Sequence, residues 1–92
     1  MPVFSPAEVA LHLRALPDWK IEAGELARTF LFVDFRGAIS FVNRVAEAAE
    51  EAEHHPDIDI RYNRIRLGLA THDAGGLTAK DFDLAACIDK LL

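Results

Sequence analysis

The segment Asp57-Ile58-Asp59-Ile60-Arg61-Tyr62-Asn63-Arg64-Ile65-Arg66-Leu67-Gly68-Leu69 alternates apolar and polar residues in two successive runs. A period of two sends every second side chain to the same face of a strand. The segment therefore predicts two strands, each apolar on one face, that turn over near Tyr62-Asn63. Upstream, Trp19 and Ile21 alternate with Lys20 and Glu22, and Gly24 separates them from Leu26 to Val33, a run rich in branched and aromatic residues. That composition predicts a second hairpin. Two half-apolar hairpins join most simply into one antiparallel sheet, and its apolar face then requires helices.

The flanking sequence supplies three. Ser5-Pro6-Ala7-Glu8 sets a capping hydroxyl, a proline at the first helical position and a glutamate at the third, and Phe4 can staple onto Val9. Val9, Leu13 and Leu16 recur at helical spacing until Pro17. Asp34 caps a longer helix with an apolar stripe of Ala38, Phe41, Val42, Val45, Ala49 and Ala52, and with Arg36, Asn43, Arg44, Glu47 and Glu51 off the stripe. His54-His55-Pro56 stops it, because a proline disfavours helical geometry in the residue before it. After a loop at 71–77 whose flexible element is Gly75-Gly76, Thr78-Ala79-Lys80-Asp81 forms a second capping box, with Leu77 stapling onto Phe82 and a buried stripe of Leu84, Ala85, Ile88 and Leu92. The expected fold is a single α+β domain over residues 1–92, in the order α-β-β-α-β-β-α, with a four-stranded antiparallel sheet and helices packed on one face.

A chain of 92 residues has room for one core. With 51% hydrophobic and 27% charged residues it is a folding composition rather than a disordered one. Fifteen acidic against ten basic side chains give a net charge of −5, which opposes binding to nucleic acid phosphates or anionic lipid. The single cysteine, Cys87, cannot close an intrachain disulfide, which fits a reducing compartment. The start lacks a signal-peptide pattern, and no stretch approaches the roughly 18 apolar residues of a membrane span, so no membrane partner is expected and the cytoplasm is the expected location.

Three of the four histidines, His54, His55 and His72, fall at the ends of predicted elements, where side chains project into clefts. His12, beside Arg14 on the first helix, reads as a surface residue. Glu50 precedes His54 by four residues, a spacing that puts both on one side of the second helix. Each feature has an ordinary explanation too: a helix C-terminus favours histidine, a capping box wants an acid at Asp81, and His72 beside Asp73 can simply be exposed. His54, His55, Asp57 and His72 offer nitrogen and oxygen ligands, but adjacent histidines rarely point the same way and a helical His-x3-His pair is missing, so no metal is expected.

Taken together the spacing is distinctive: Glu50-x3-His54-His55-Pro56-x5-Tyr62-x9-His72-x8-Asp81, followed by Phe82-Asp83-Leu84-Ala85, with the loop Thr71-His72-x3-Gly76-Leu77-Thr78. From about Asp34 to the C-terminus, with Trp19 upstream, this resembles the pterin-4a-carbinolamine dehydratase family. The resemblance implies a hydro-lyase that converts 4a-hydroxytetrahydropterin to quinonoid dihydropterin without metal or organic cofactor. It implies His54 and His72 as the acid/base pair, His55 as an assisting substrate holder, Glu50 and Asp81 as orienting carboxylates, and Thr71 and Ile58 against the substrate. Ile58 departs from animal members, which carry an aromatic residue there, so the resemblance leaves substrate preference more open than reaction type. It also implies a homodimer or homotetramer. The alternative is a binding module of the same fold, a dimerisation or assembly-chaperone protein without catalysis.

Overall fold

The computed structural model describes residues 2–92, and the expected element order is present: α1 (Pro6–Leu13), β1 (Lys20–Glu22), β2 (Glu25–Leu31), α2 (Phe35–Ala52), β3 (Asp57–Arg61), β4 (Arg64–Leu69) and α3 (Ala79–Asp89), with a short 3₁₀ turn at His72–Ala74. The four strands form one sheet in the order β1-β2-β4-β3, with every neighbouring pair antiparallel. Ala23 (φ 49) and Gly24 (φ 80) both take the left-handed conformation in the two-residue turn of the first hairpin, which matches the twist of the flanking strands. The second hairpin turns through Tyr62 (φ 53) and Asn63, with Arg61 opposite Arg64.

The caps form as the sequence dictates. Ser5 Oγ accepts from Glu8 N at 3.2 Å and Ser5 N donates to Glu8 Oε1 at 2.8 Å, while Asp34 Oδ1 accepts from Gly37 N at 2.8 Å. The core lies between the helices and the two central strands. Leu26 and Phe30 of β2 and Ile65, Leu67 and Leu69 of β4 meet Ala38, Phe41, Val45 and Ala49 of α2 and Phe82, Leu84, Ala85 and Ile88 of α3. At the far end of α3, Asp89 Oδ1 accepts from Trp19 Nε1 (2.9 Å) and from Arg28 Nη1 (2.8 Å), tying helix to sheet.

Several residues expected in the core lie at its margin. Ile21, Ile58, Ile60 and Tyr62 are exposed because they belong to the two edge strands and the hairpin tip, beyond the part of the sheet that the helices cover. Ala52 is exposed at the last turn of α2, Val42 is only half-buried, and Leu92 lies past the end of α3 and is exposed. Leu16 is buried in the turn after α1 rather than on the helix.

The opposite face of the sheet is polar. Arg66 reaches Glu25 (3.4 Å) and Glu22 (3.3 Å), and the Glu25 carboxylate lies over Gly68, where an added Cβ would come within 2.6 Å of its Oε1. Asp57 is the cross-strand neighbour of Gly68 on the other side.

Candidate active site

The path from α2 into β3 decides where the histidines go. The sequence spacing placed Glu50 and His54 on one side of a helix, but α2 ends at Ala52. Glu53 then adopts the left-handed conformation (φ 52, ψ 40), its N–H bonding to Ala49 O and Glu50 O. This residue swings the chain off the helix axis, and Pro56 keeps it from resuming a helical course. As a result the two adjacent imidazoles separate. His54 turns inward to Asp81, and it is His55, not His54, that meets Glu50.

His54 is 9% exposed, and its Nε2 lies 2.5 Å from Oδ1 of Asp81, which is fully buried at the third position of α3. The other carboxylate oxygen accepts from Thr78 N (2.9 Å) and from Thr71 Oγ1 (2.8 Å). The Thr71 and Thr78 hydroxyls are 2.7 Å apart. A carboxylate only accepts, so the Thr71 hydrogen is committed to Asp81 and Thr78 must donate to Thr71. By the same rule His54 carries its hydrogen on Nε2, which leaves Nδ1 of the neutral ring with a lone pair. Asp81 thus serves the cap and the imidazole at once, and among the described residues no fully buried side-chain nitrogen or oxygen is left without a partner.

His55 Nε2 and Glu50 Oε2 pair in solvent, with side chains 65% and 76% exposed. His72 opens the 3₁₀ turn on a loop closed by the Thr71–Gly76 bridge, and among the described residues its ring makes no hydrogen bond or ion pair. His54, His55, His72 and Thr71 line one cavity of about 260 Å³, together with Glu53, Ala70, Asp73 and Lys80. Ile58 is not among them; it stands on β3 opposite Leu67. His12 is exposed, but its ring is stacked on Phe4, which a surface reading of the sequence does not anticipate.

Glu53, Asp73 and Lys80 are lining residues that the sequence reading passed over. Lys80 lies inside a capping box and Glu53 directly precedes the His-His-Pro block, so neither stands out in the sequence. The signal for Glu53 is conformational: a non-glycine residue in the left-handed region at a cavity wall, visible only once the backbone is known.

A model of the pterin 4 alpha carbinolamine dehydratase family matches residues 2–91. The chain belongs to that family of hydro-lyases. Relatives named for the same dehydratase include one from Chloroflexus aurantiacus, 60% identical over 92 residues that cover 100% of this chain and 99% of the relative. Another, from Acidobacterium capsulatum, is 59% identical and covers 100% of both chains. The crystal structure of a transcriptional coactivator/pterin dehydratase from Brucella melitensis superposes with a TM-score of 0.92 at 33% identity, covering 97% of each chain. A pterin dehydratase-like protein described as a RuBisCO assembly factor in the alpha-carboxysome shares the fold, with a TM-score of 0.64 at 22% identity over 79% of this chain and 84% of that one. The family match, from residue 2 to residue 91, thus takes in the segment before Asp34 that carried little of the sequence signature.

Proposed function

We propose that this protein dehydrates a 4a-hydroxytetrahydropterin to the quinonoid dihydropterin by general acid–base catalysis, in the recycling of a pterin cofactor. The C4a–O bond breaks as the departing hydroxyl takes up a proton and leaves as water. The N5 lone pair closes the C4a–N5 double bond, and N5 gives up its proton. One proton is delivered and one removed, so no redox partner is needed. Imidazoles do both near neutral pH, and positioned proton transfer of this kind contributes roughly 10²- to 10⁴-fold.

The observation that carries this reading is the shared cavity of His54, His55 and His72, with two of the three rings each held by a carboxylate. His54 and His72 are the acid/base pair, and Asp81 fixes the His54 tautomer. His55, paired to Glu50 in solvent, holds the substrate, with Thr71 on the same wall. Ile58, outside that wall, touches the pterin only if the substrate extends beyond the cavity or a second subunit brings another surface. The chemistry requires neither metal nor organic cofactor, and the pterin is the small-molecule partner.

The chain works as a homodimer or a larger homo-oligomer. The support is β3, an edge strand exposed along its whole length with Ile58 and Ile60 on its helix side, a surface suited to pairing with a second copy. The cytoplasm is its place of work; the lone Cys87 is compatible with that, and no helix among the described residues is long and apolar enough to cross a membrane. Stopped-flow turnover of freshly made 4a-hydroxytetrahydropterin tests the function directly. Acceleration over the uncatalysed rate is expected, and its absence in a folded sample would leave the binding-module reading.

A further inference from the structure

Of the three histidines on the cavity, two are fixed through their rings and one is not. Asp81 holds His54 and Glu50 holds His55, but His72 has no side-chain partner among the described residues, so its position is inherited from the backbone of its loop. The inner side of that loop is anchored by Thr71 and Thr78 to the buried Asp81. Its outer side is held by the N-terminal arm. Phe4 N donates to Leu77 O at 2.8 Å, and Val3 packs so closely on Gly76 that an added Cβ there would meet Val3 Cγ1 at 2.8 Å. Phe4 is itself clamped: its ring stacks on His12 of α1 at 4.6 Å with an 8° interplanar angle and leans on Phe82 of α3 at 5.7 Å.

We propose that Val3 and Phe4 form a strap that positions His72 through Gly76 and Leu77, with His12 as the clamp that keeps the strap seated. These are positioning residues; none lines the cavity. Gly76 has a defined part in this arrangement, since the space a side chain would take is already filled by Val3. The inference rests on the dehydratase reading for its effect on turnover, while its effect on the position of the His72 ring stands independently. A displacement of the order of 1 Å at a reacting group can cost up to about 10²-fold in rate, so loosening the strap is expected to lower kcat by about 10-fold with little change in KM.

The test uses the full chain and two compensated pairs of variants. Gly76→Ala drives Val3 off the loop and lowers kcat by about 10-fold. Adding Val3→Ala removes the Cγ1 methyl that clashes at 2.8 Å, leaves Cβ to Cβ at the ordinary 3.8 Å, and restores most of that loss. His12→Ala unseats Phe4 and lowers kcat, while His12→Phe keeps an aromatic ring in the stack and preserves it. With four histidines in the chain, the ring resonances are readily followed by NMR: those of His72 move in Gly76→Ala and His12→Ala, and those of His54 and His55 stay in place. Unmoved His72 resonances and unchanged kcat in both folded single variants would overturn the strap. A wild-type chain without dehydratase turnover, but with His72 resonances that respond as stated, would sink the functional reading and leave the strap standing.

Discussion

Asp81 Oδ1 lies 2.5 Å from His54 Nε2, with the carboxylate wholly buried and the imidazole nearly so. A capping residue and a candidate catalytic orienter are therefore one side chain, and replacing it affects stability and chemistry together.

Asp81→Ala removes the acceptor for three donors, the Thr78 amide, the Thr71 hydroxyl and His54, and should cost about 3 kcal/mol in denaturant unfolding. Asp81→Asn keeps the volume but replaces one of the two acceptor oxygens with an NH2 donor. It should fold, with kcat lowered by roughly 10²-fold and KM little changed. Glutamine, longer by a methylene, overfills a site that has no exposure. Wild-type turnover in Asp81→Asn would remove the orienting role.

The histidines should separate by stability as well as by rate. His54→Ala takes one of three donors from a buried carboxylate and should destabilise by about 1 to 3 kcal/mol, more than the loss of a helix-end dipole contact. His55→Ala breaks an exposed pair worth less than about 1 kcal/mol, and His72→Ala breaks none. Both rate variants, His54→Ala and His72→Ala, should lower kcat by roughly 10- to 10⁴-fold, whereas His55→Ala should chiefly raise KM. Thermal unfolding beside single-turnover kinetics checks the two orders together.

Glu25 holds its proton more tightly than an ordinary glutamate, first because the Asp57 carboxylate shares its site across Gly68 and then because it is partly buried; Arg66 opposes the shift. A raised folded-state affinity means the native chain binds more protons than the unfolded one just above the usual glutamate range. The contribution is fully present below that range and is lost as pH rises through the raised value. Glu25→Gln should therefore flatten the fall in stability as pH rises above the usual glutamate range, which begins near 4.5. An unchanged pH slope in urea unfolding would show that the pair does not couple to folding.

Turnover should survive prolonged dialysis against a strong chelator. The ring nitrogens of His54 and His55 that meet neighbours are engaged with carboxylates, and among the described residues no group of three or more His, Cys, Asp or Glu side chains is arranged to hold a metal ion. Activity lost on chelation and regained with zinc would replace proton transfer by a metal mechanism.

Much of this was legible in the chain because the governing patterns are local. The alternation from Asp57 to Leu69 and the two capping boxes specify strands and helix starts within a few residues of each other, and these appear where expected. What failed was non-local or conformational. Ile58, Ile60 and Ile21 alternate like core residues, yet strand order puts them at the margins, and strand order is settled by packing rather than by period. Glu50 meets His55 rather than sharing a helix side with His54, because the four-residue rule holds only while the helix continues, and Glu53 ends it. The stack of His12 on Phe4 joins two segments whose only sequence link is a helix cap.

The left-handed residue at Glu53 has one more effect. It sets two consecutive imidazoles in different media: His54 under a protein roof and His55 in open water. The ring hydrogens of His55 trade with the bulk without any motion of the chain, while that of His54 is withheld until its shelter opens. Neighbours in sequence thereby keep separate clocks for hydrogen exchange, and the slower one reports how often the buried half of the site is uncovered.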